Sequence, residues 1–367
     1  MPLRFPRDIL VSRYERFQEL LRSRGIDAVM LRTLSSFAYF TGVKWLRPAL
    51  LIPSEGEPTA FVIRGEEELF ESYTWIRNIV TYAEGGELMA AVSRAIRERG
   101  YRVVGLEFGI EHDAYILFYE MFKRLNPGVR VVDVSEEIYG LRMVKDGYEQ
   151  EAIRAAGRRA AKAMERALSS VKPGVSESEI AAEAYHELYR MGCEHPLVYV
   201  NVGPHPRIHA EPLGDVRARE GVFVTVVIGA DYAGYYANMA RTVFLGSLSG
   251  AAERAVRCMD EVYRVAKELT KPGTRFIDVM QGLDKVYRDY GMLRHRVAGY
   301  AHGVGLQVEE PPITTIVPKH RMIRVRPGMA LAFVHAPIAL PGYGQVKRED
   351  TFLVKEDGEL ENVTELS

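Results

Sequence analysis

The sequence predicts two domains, an α/β domain over residues 1–143 and an α+β domain with internal pseudo-two-fold symmetry over residues 144–367. Short apolar runs alternate with helical patterns as far as about residue 135, which predicts the first domain. A series of motifs then occurs twice in the same order, which predicts the second. A chain of 367 residues is long enough for two domains that each bury a core.

The first domain begins with a helical pattern over residues 13–25, where Phe17, Leu20 and Leu21 share one face and Gly25 ends the helix. A second helical pattern covers residues 88–99. The apolar runs that predict strands lie at residues 27–31, 48–52, 59–63 and 102–106. This alternation of helices and strands is typical of an α/β domain.

A long helical pattern runs from Asp146 to Val171, so we expect the domain boundary just before it, within residues 142–145. Beyond it, Lys-Pro-Gly follows one helix and precedes another at residues 172–174 and again at residues 271–273. The helix that follows residues 172–174 opens with a capping box of Ser176 and Glu179.

Two further motif pairs continue this repeat. In the first pair, His209 precedes Glu211-Pro212, and His302 likewise precedes Glu310-Pro311. In the second pair, Arg219-x-Gly221 corresponds to Arg326-x-Gly328. Ordinary turn chemistry is the alternative explanation, but the shared order favours a repeat. Two such halves imply a cleft between them, where a binding site is expected.

Composition excludes several classes of protein. The formal net charge is −1, from 48 basic and 49 acidic residues, so the chain lacks the positive charge of a nucleic-acid binder. Cys193 and Cys258 are too far apart in sequence for a metal-binding motif or a disulfide framework. The N-terminal residues lack the apolar core of a leader peptide, and no apolar run is long enough to span a membrane. We therefore expect a cytoplasmic protein that binds neither nucleic acid nor membrane.

Polar residues with possible chemistry lie in three predicted strand regions. The first is a hairpin over residues 222–242, for which we expect a turn from Gly229 to Gly234 that includes Asp231. The second contains His302 among small residues, and the third, at residues 333–351, contains His335 and Glu349. A lone histidine is more often a hydrogen-bonded structural residue than a ligand, so spacing by itself does not assign these residues a function.

Several motifs together make the chain resemble a known family over nearly its whole length. They are Gly25-Ile-Asp-Ala28, Tyr39-Phe-Thr-Gly42, Arg142-x-Val-Lys145, Gly229-Ala-x-Tyr-x-Gly-Tyr235 with Arg241-Thr242, His302-Gly-Val-Gly305 and Glu349-Asp-Thr351. The chain resembles the creatinase/prolidase family of pita-bread, M24-type metallopeptidases, and within it the Xaa-Pro dipeptidase branch. The resemblance implies a two-domain pita-bread architecture and a homodimer.

Active members of this family hold two divalent metals with two Asp, one His and two Glu. By resemblance, the Asp positions are Val227 and Asn238 here, whereas His302 and the second Glu, Glu349, are kept. The first Glu is replaced by Val334 when counted from Gly328 and by His335 when counted back from Glu349. Of the two histidines near the substrate in this branch, His209 remains and Glu309 replaces the other.

Two divalent cations a few ångströms apart need several carboxylates to offset their repulsion. The sequence therefore predicts loss of the dinuclear centre, and it requires no organic cofactor. His209, His302 and Glu349 remain as candidates for proton transfer or for binding a peptide or small amide-like ligand, with hydrolysis metal-free or absent. One alternative is a peptidase with a single Zn or Mn ion on His302, His335 and Glu349. Others are a non-enzymatic partner-binding module and a purely structural role for His335.

Overall fold

The computed structural model describes residues 5–45, 47–109, 115–209 and 211–366. The chain divides into two compact units, Met1–Arg142 and Met143–Ser367. This division lies one residue before the boundary that the sequence predicts.

The first unit contains a six-stranded sheet with the order β4-β3-β2-β1-β5-β6. Its strands are β1 (Ala28–Leu31), β2 (Leu50–Pro53), β3 (Thr59–Ile63), β4 (Asn78–Tyr82), β5 (Val103–Leu106) and β6 (Arg130–Asp133). The pairs β1–β5, β5–β6 and β3–β4 are parallel, whereas β2 is antiparallel to both of its neighbours. All residues of β1 and β2 are buried, which explains why these strands read as continuous apolar runs.

Six helices accompany this sheet in the described residues. They are α1 (Arg7–Arg24), α2 (Leu34–Thr41), α3 (Glu67–Tyr73), α4 (Gly85–Glu98), α5 (Tyr115–Leu125) and α6 (Ser135–Arg142). Helix α1 begins earlier than the apolar pattern suggests because its first turn is mostly polar or half-exposed. It ends as predicted at Gly25, which takes the left-handed conformation with φ of 63°.

The second unit contains four helices and two larger antiparallel sheets in the described residues. The helices are α7 (Gly147–Ser170), α8 (Glu177–Arg190), α9 (Gly250–Leu269) and α10 (Phe276–Asp289). The strands are β7 (Leu197–Val202), β8 (Phe223–Tyr232), β9 (Tyr235–Phe244), β10 (Ala301–Gly303), β11 (Glu310–Ile313), β12 (Ala330–Phe333), β13 (Ile338–Leu340), β14 (Gly344–Val346), β15 (Asp350–Val354) and β16 (Leu360–Asn362). No described helix is both long and apolar enough to cross a membrane.

The two halves of this unit repeat the same hydrogen bonds at the motifs that the sequence pairs. Gly174 N donates to Ala218 O at 2.8 Å, and Gly273 N donates to Val325 O at 2.8 Å. The predicted capping box at Ser176 is present at the start of α8. The Lys-Pro-Gly turns therefore connect each helix pair to the strand segment that follows it, as pseudo-two-fold symmetry requires.

The predicted hairpin is present, but its predicted turn is wrong. Strand β8 continues through Gly229, which pairs with Asn238, and the turn consists only of Ala233 and Gly234, with φ of 52° and 87°. Two left-handed residues make the tight turn that suits a twisted hairpin. Asp231 accordingly lies on a strand, where it is buried and accepts backbone N–H groups from the segment before β7.

The two larger sheets meet at one antiparallel bridge. Ala240 on β9 and Glu349, just before β15, exchange backbone hydrogen bonds of 3.0 and 3.1 Å. The sheet that contains the hairpin has the order β7-β8-β9, and the other larger sheet has the order β11-β10-β12-β15-β16. This arrangement brings Glu349 beside the hairpin although more than a hundred residues separate them in sequence.

Candidate functional site

His302, His335 and Glu349 form a buried cluster in the second unit, which we call the inner set. His302 lies on β10 and His335 is the second residue after the neighbouring strand β12, so pairing of these strands brings the two imidazoles together with ring centroids 4.4 Å apart. Glu349 Oε1 lies 3.4 Å from His302 Nε2 and 3.5 Å from His335 Nδ1. None of these three atoms makes a hydrogen bond with a described residue. Three unpartnered polar atoms therefore converge at one buried point.

The strand geometry shows which of Val334 and His335 directs its side chain into the cluster. Successive side chains at the end of a strand point to opposite faces. Val334 is fully buried in the apolar core of the unit, whereas the His335 ring contacts His302 and Glu349. His335 is thus the residue whose side chain enters the cluster.

Lys347 brings a positive charge into this cluster. Its Nζ atom lies 2.7 Å from Glu349 Oε2, and both side chains are only 1% exposed. The same atom donates a hydrogen bond of 3.2 Å to His209 Nε2, because a lysine ammonium has no acceptor to offer. Lys347 therefore lies between the buried carboxylate and the histidine nearer the surface.

His209 and Glu309 extend the cluster towards solvent. Together with His335 they form the outer set, whose possible ligand atoms all lie within 4.8 Å of one another. Glu309 Oε1 is 3.5 Å from His335 Nε2, and the Glu309 side chain is 31% exposed. The His209 ring lies 4.5 Å from that of His335, and His209 adopts the left-handed conformation with φ of 51°, which is uncommon for a residue other than glycine. His335 is therefore shared, with Nδ1 facing the inner set and Nε2 facing the outer set.

Two positions that the resemblance assigns to aspartate ligands have other roles here. Val227 pairs with Ala240 in the β8–β9 ladder and offers no ligand atom. Asn238 uses its amide Nδ2 to donate a 2.8 Å hydrogen bond to Val308 O. The hairpin therefore supplies no carboxylate to the cluster from these two positions.

A second layer of polar residues holds the backbone at Glu349. Arg241 donates to Glu349 O at 2.9 Å and to the buried Asp350 carboxylate at 2.8 Å. Asp350 also accepts from Tyr263 Oη at 2.5 Å and from Thr364 Oγ1 at 2.8 Å. Because Asp350 follows Glu349 directly, these bonds restrict the position of the Glu349 side chain.

Burial and neighbouring charges set the protonation of the cluster. Burial and then the charge of Lys347 lower the pKa of His335 to about 3, and the same causes lower the pKa of His209 to about 3. Burial alone would raise the pKa of Glu349, but Lys347 and the two inner imidazoles hold it well below its usual range. Burial alone would lower the pKa of His302, but Glu349, Glu309 and a backbone carbonyl raise it. At neutral pH the cluster therefore contains an ionised Glu349 and neutral His209 and His335.

The donors present do not fit a pair of divalent metals. Val227 and Asn238 contribute no carboxylate from the hairpin, and Lys347 already neutralises Glu349 from 2.7 Å. The inner set alone has the composition of a single catalytic zinc site, two imidazoles and one carboxylate. His302 Nδ1 lies 2.8 Å from Gly303 O, so the imidazole holds its proton on Nδ1 and leaves Nε2 as the free donor atom.

The structure brings together the four residues His209, His302, His335 and Glu349 that sequence reasoning selects. It also adds Lys347, which the sequence presents only as part of a charged strand end. Lys347 lies two residues before Glu349, and alternate residues of an extended segment share a face. This spacing is the feature of the sequence that could have placed Lys347 beside Glu349.

Comparisons with known proteins agree with this architecture. Residues 151–356 match the family description "Metallopeptidase family M24", and residues 13–144 match "Creatinase/Prolidase N-terminal domain". The chain is similar to a Xaa-Pro dipeptidase from Pyrococcus furiosus, with 25% identity over 95% of this chain and 96% of that protein. It is also similar to a probable dipeptidase, PepE, from Mycobacterium tuberculosis, with 31% identity over 63% of this chain and 61% of that protein.

Among solved structures, the prolidase from Pyrococcus horikoshii superposes with a TM-score of 0.87 at 23% identity, covering 97% of this chain and 99% of that one. A Xaa-Pro dipeptidase from Bacillus anthracis superposes with a TM-score of 0.86 at 23% identity, covering 98% of each chain. These structural matches confirm the predicted pita-bread architecture.

Proposed function

The chain belongs to metallopeptidase family M24, and we propose that it is a Xaa-Pro dipeptidase-like member that has lost the dinuclear metal centre and binds a peptide or small amide-like ligand. One observation carries this proposal: Val227 and the amide of Asn238 occupy the hairpin positions that the resemblance assigns to aspartate ligands. Without these carboxylates, two adjacent divalent cations lack the negative charge that would offset their repulsion.

The cluster retains groups that suit an amide ligand. His209 and Glu309 are partly exposed, and the Glu309 carboxylate accepts hydrogen bonds from ligand N–H groups. The neutral imidazole of His209 already accepts a hydrogen bond from Lys347 at Nε2, so its proton lies on Nδ1, which donates to a ligand carbonyl oxygen. Lys347 lies deeper, where its ammonium offers N–H groups to a carbonyl oxygen. Any hydrolysis in this proposal uses these side chains for proton transfer, with His209, His302 and Glu349 as the candidates, and does not use paired metals.

Thermal unfolding with a panel of dipeptides and small amides tests the proposal. A ligand that binds only the folded state at a hundred times its Kd stabilises it by about 2.7 kcal/mol. We expect such a shift in the parent and its loss in a Glu309→Gln variant, which removes one charge from the open side of the cluster. Glu359→Gln is the matched control, because Glu359 is 72% exposed and pairs only loosely with Lys355. Equal shifts in all three proteins would place the ligand elsewhere, and no shift with any compound would favour a partner-binding module.

A second candidate is an active Xaa-Pro peptidase with one Zn or Mn ion on His302, His335 and Glu349. The convergence of three unpartnered donor atoms favours it. Elemental analysis of the purified protein distinguishes the two, because this candidate requires about one bound metal per chain. We also expect a cytoplasmic homodimer, which light scattering and cell fractionation test.

A further inference from the structure

We propose that Lys347 is the resident cation of this cluster and keeps divalent metal out of a latent zinc site formed by His302, His335 and Glu349. This inference rests on the proposed loss of the dinuclear centre, and it assigns to Lys347 the role of excluding metal. It also predicts that removing one positive charge creates a metal-binding protein.

Two of the three distances between ligand atoms in the inner set have the length expected of a tetrahedral site. Zinc bonds to imidazole nitrogen and carboxylate oxygen are about 2.0–2.2 Å long, which separates neighbouring ligand atoms by about 3.3–3.6 Å. Glu349 Oε1 lies 3.4 Å from His302 Nε2 and 3.5 Å from His335 Nδ1. These side chains therefore need little rearrangement to hold one ion.

The outer set competes for one of the same ligands. Glu309 Oε1 lies 3.5 Å from His335 Nε2, again the length of a tetrahedral edge. His209 completes this set, but its Nε2 atom already accepts a hydrogen bond from Lys347. The contact opposes metal binding there, because an ion bound at Nε2 would have to displace the lysine.

Lys347 acts on both sets from one position. Its ammonium lies 2.7 Å from Glu349 Oε2, so an ion bound at Glu349 Oε1 would be no more than about 7 Å from it. At an effective dielectric constant of about 20, repulsion between single and double positive charges at that separation weakens binding on the order of a thousandfold. The lysine also supplies the positive charge that the buried Glu349 requires, so the cluster is balanced without metal.

A Lys347→Met variant tests this inference, because methionine keeps most of the volume and removes the charge. We expect the chelator-treated parent to hold much less than one zinc per chain at micromolar zinc. The variant should hold about one, with an affinity at least about a hundredfold higher. Elemental analysis, titration against a competing chelator and the zinc-dependent shift in melting temperature measure this without any activity assay.

A matched control is available in the same unit. Lys145 Nζ lies 2.7 Å from Glu310 Oε1, and the two side chains are 1% and 2% exposed, so this pair is buried as deeply as Lys347 and Glu349. Glu310 belongs to neither three-ligand set found among the described residues. Lys145→Met should therefore lose a buried charge but acquire no zinc.

Two double variants identify the ligands. Adding His302→Ala to Lys347→Met should abolish zinc binding, whereas adding Glu309→Gln should leave it nearly unchanged. The reverse result would overturn the assignment to the inner set. If Lys347→Met does not fold, Lys347→Gln replaces it. The zinc content of the parent is measured without either variant.

Tight binding of one zinc by the parent would overturn the role of Lys347 and favour the single-metal candidate. Absence of zinc from a folded Lys347→Met variant would overturn the latent site. Neither result bears on peptide binding by the parent, so failure of this inference is distinguishable from failure of the proposed function.

Discussion

Replacing Lys347 by methionine should also destabilise the metal-free protein. The substitution leaves the Glu349 carboxylate buried without its cation, since both side chains of the pair are 1% exposed and their charged atoms lie 2.7 Å apart. Removing one partner of such a pair costs about 3–5 kcal/mol. For a unit of about 225 residues, each kcal/mol corresponds to about 2–4 °C, so we expect the melting temperature to fall by about 6–20 °C.

Circular dichroism during thermal and urea unfolding measures this change. Both tryptophans, Trp45 and Trp75, lie in the first unit, whereas Lys347 lies in the second, so tryptophan fluorescence reports on the unsubstituted first unit and serves as an internal reference. Lys355→Met is the exposed-pair control. Lys355 and Glu359 are 3.7 Å apart with side chains 46% and 72% exposed, and such pairs contribute at most about 0.5–1 kcal/mol.

A double variant separates loss of the pair from exposure of an unpaired charge. Lys347→Met with Glu349→Met removes both charges, so it should be more stable than Lys347→Met alone. A Lys347→Met protein within about 1 kcal/mol of the parent would refute the reasoning. A double variant less stable than the single variant would refute it as well, because the orphaned carboxylate would then not be the source of the loss.

Three further predictions concern the metal content, the hairpin positions and the packing of α7. The protein prepared with Mn²⁺, Co²⁺ or Zn²⁺ should hold fewer than two ions per chain, and elemental analysis showing two would contradict the proposed loss of the dinuclear centre. Restoring carboxylates with Val227→Asp, Asn238→Asp and His335→Glu in a Lys347→Met background should lower the melting temperature without metal, since close carboxylates repel, and Mn²⁺ should raise it again; an unfolding midpoint unchanged by Mn²⁺ would mean that these positions do not converge. Gly157→Ala should cost at least about 1–3 kcal/mol by denaturant unfolding, because its Cβ would lie 1.9 Å from a backbone carbonyl oxygen of the C-terminal segment, whereas an exposed Gly→Ala change such as Gly147→Ala should cost far less.

Local features of the chain were predictable because nearby residues determine them. The capping box at Ser176 and the end of α1 at Gly25 depend on residues within one turn of the helix, and both are present as predicted. The hairpin turn was misplaced because the glycine at 229 reads as a turn residue. In the structure it is a strand position where a side chain would meet Val308 Cγ2 at 2.9 Å. That contact is made by a distant segment, so local sequence does not reveal it.

The sequence by itself determined the family, the two-domain architecture and the identities of the residues at the positions that the resemblance assigns to metal ligands. Val227 cannot bind a metal in any structure, since its side chain has no donor atom. Motif order and residue chemistry are properties of the chain alone, and comparison with known proteins confirmed the family and fold that they predicted.

Only the tertiary structure decided that His335, and not Val334, enters the cluster and that Lys347 pairs with Glu349 there. The physical reason is strand register: neighbouring residues at a strand end point to opposite faces, so an uncertainty of one residue in sequence exchanges a buried valine for an imidazole. The approach of Lys347 to His209 joins positions that the folded sheets bring within 3.2 Å, a distance that no spacing along the chain encodes.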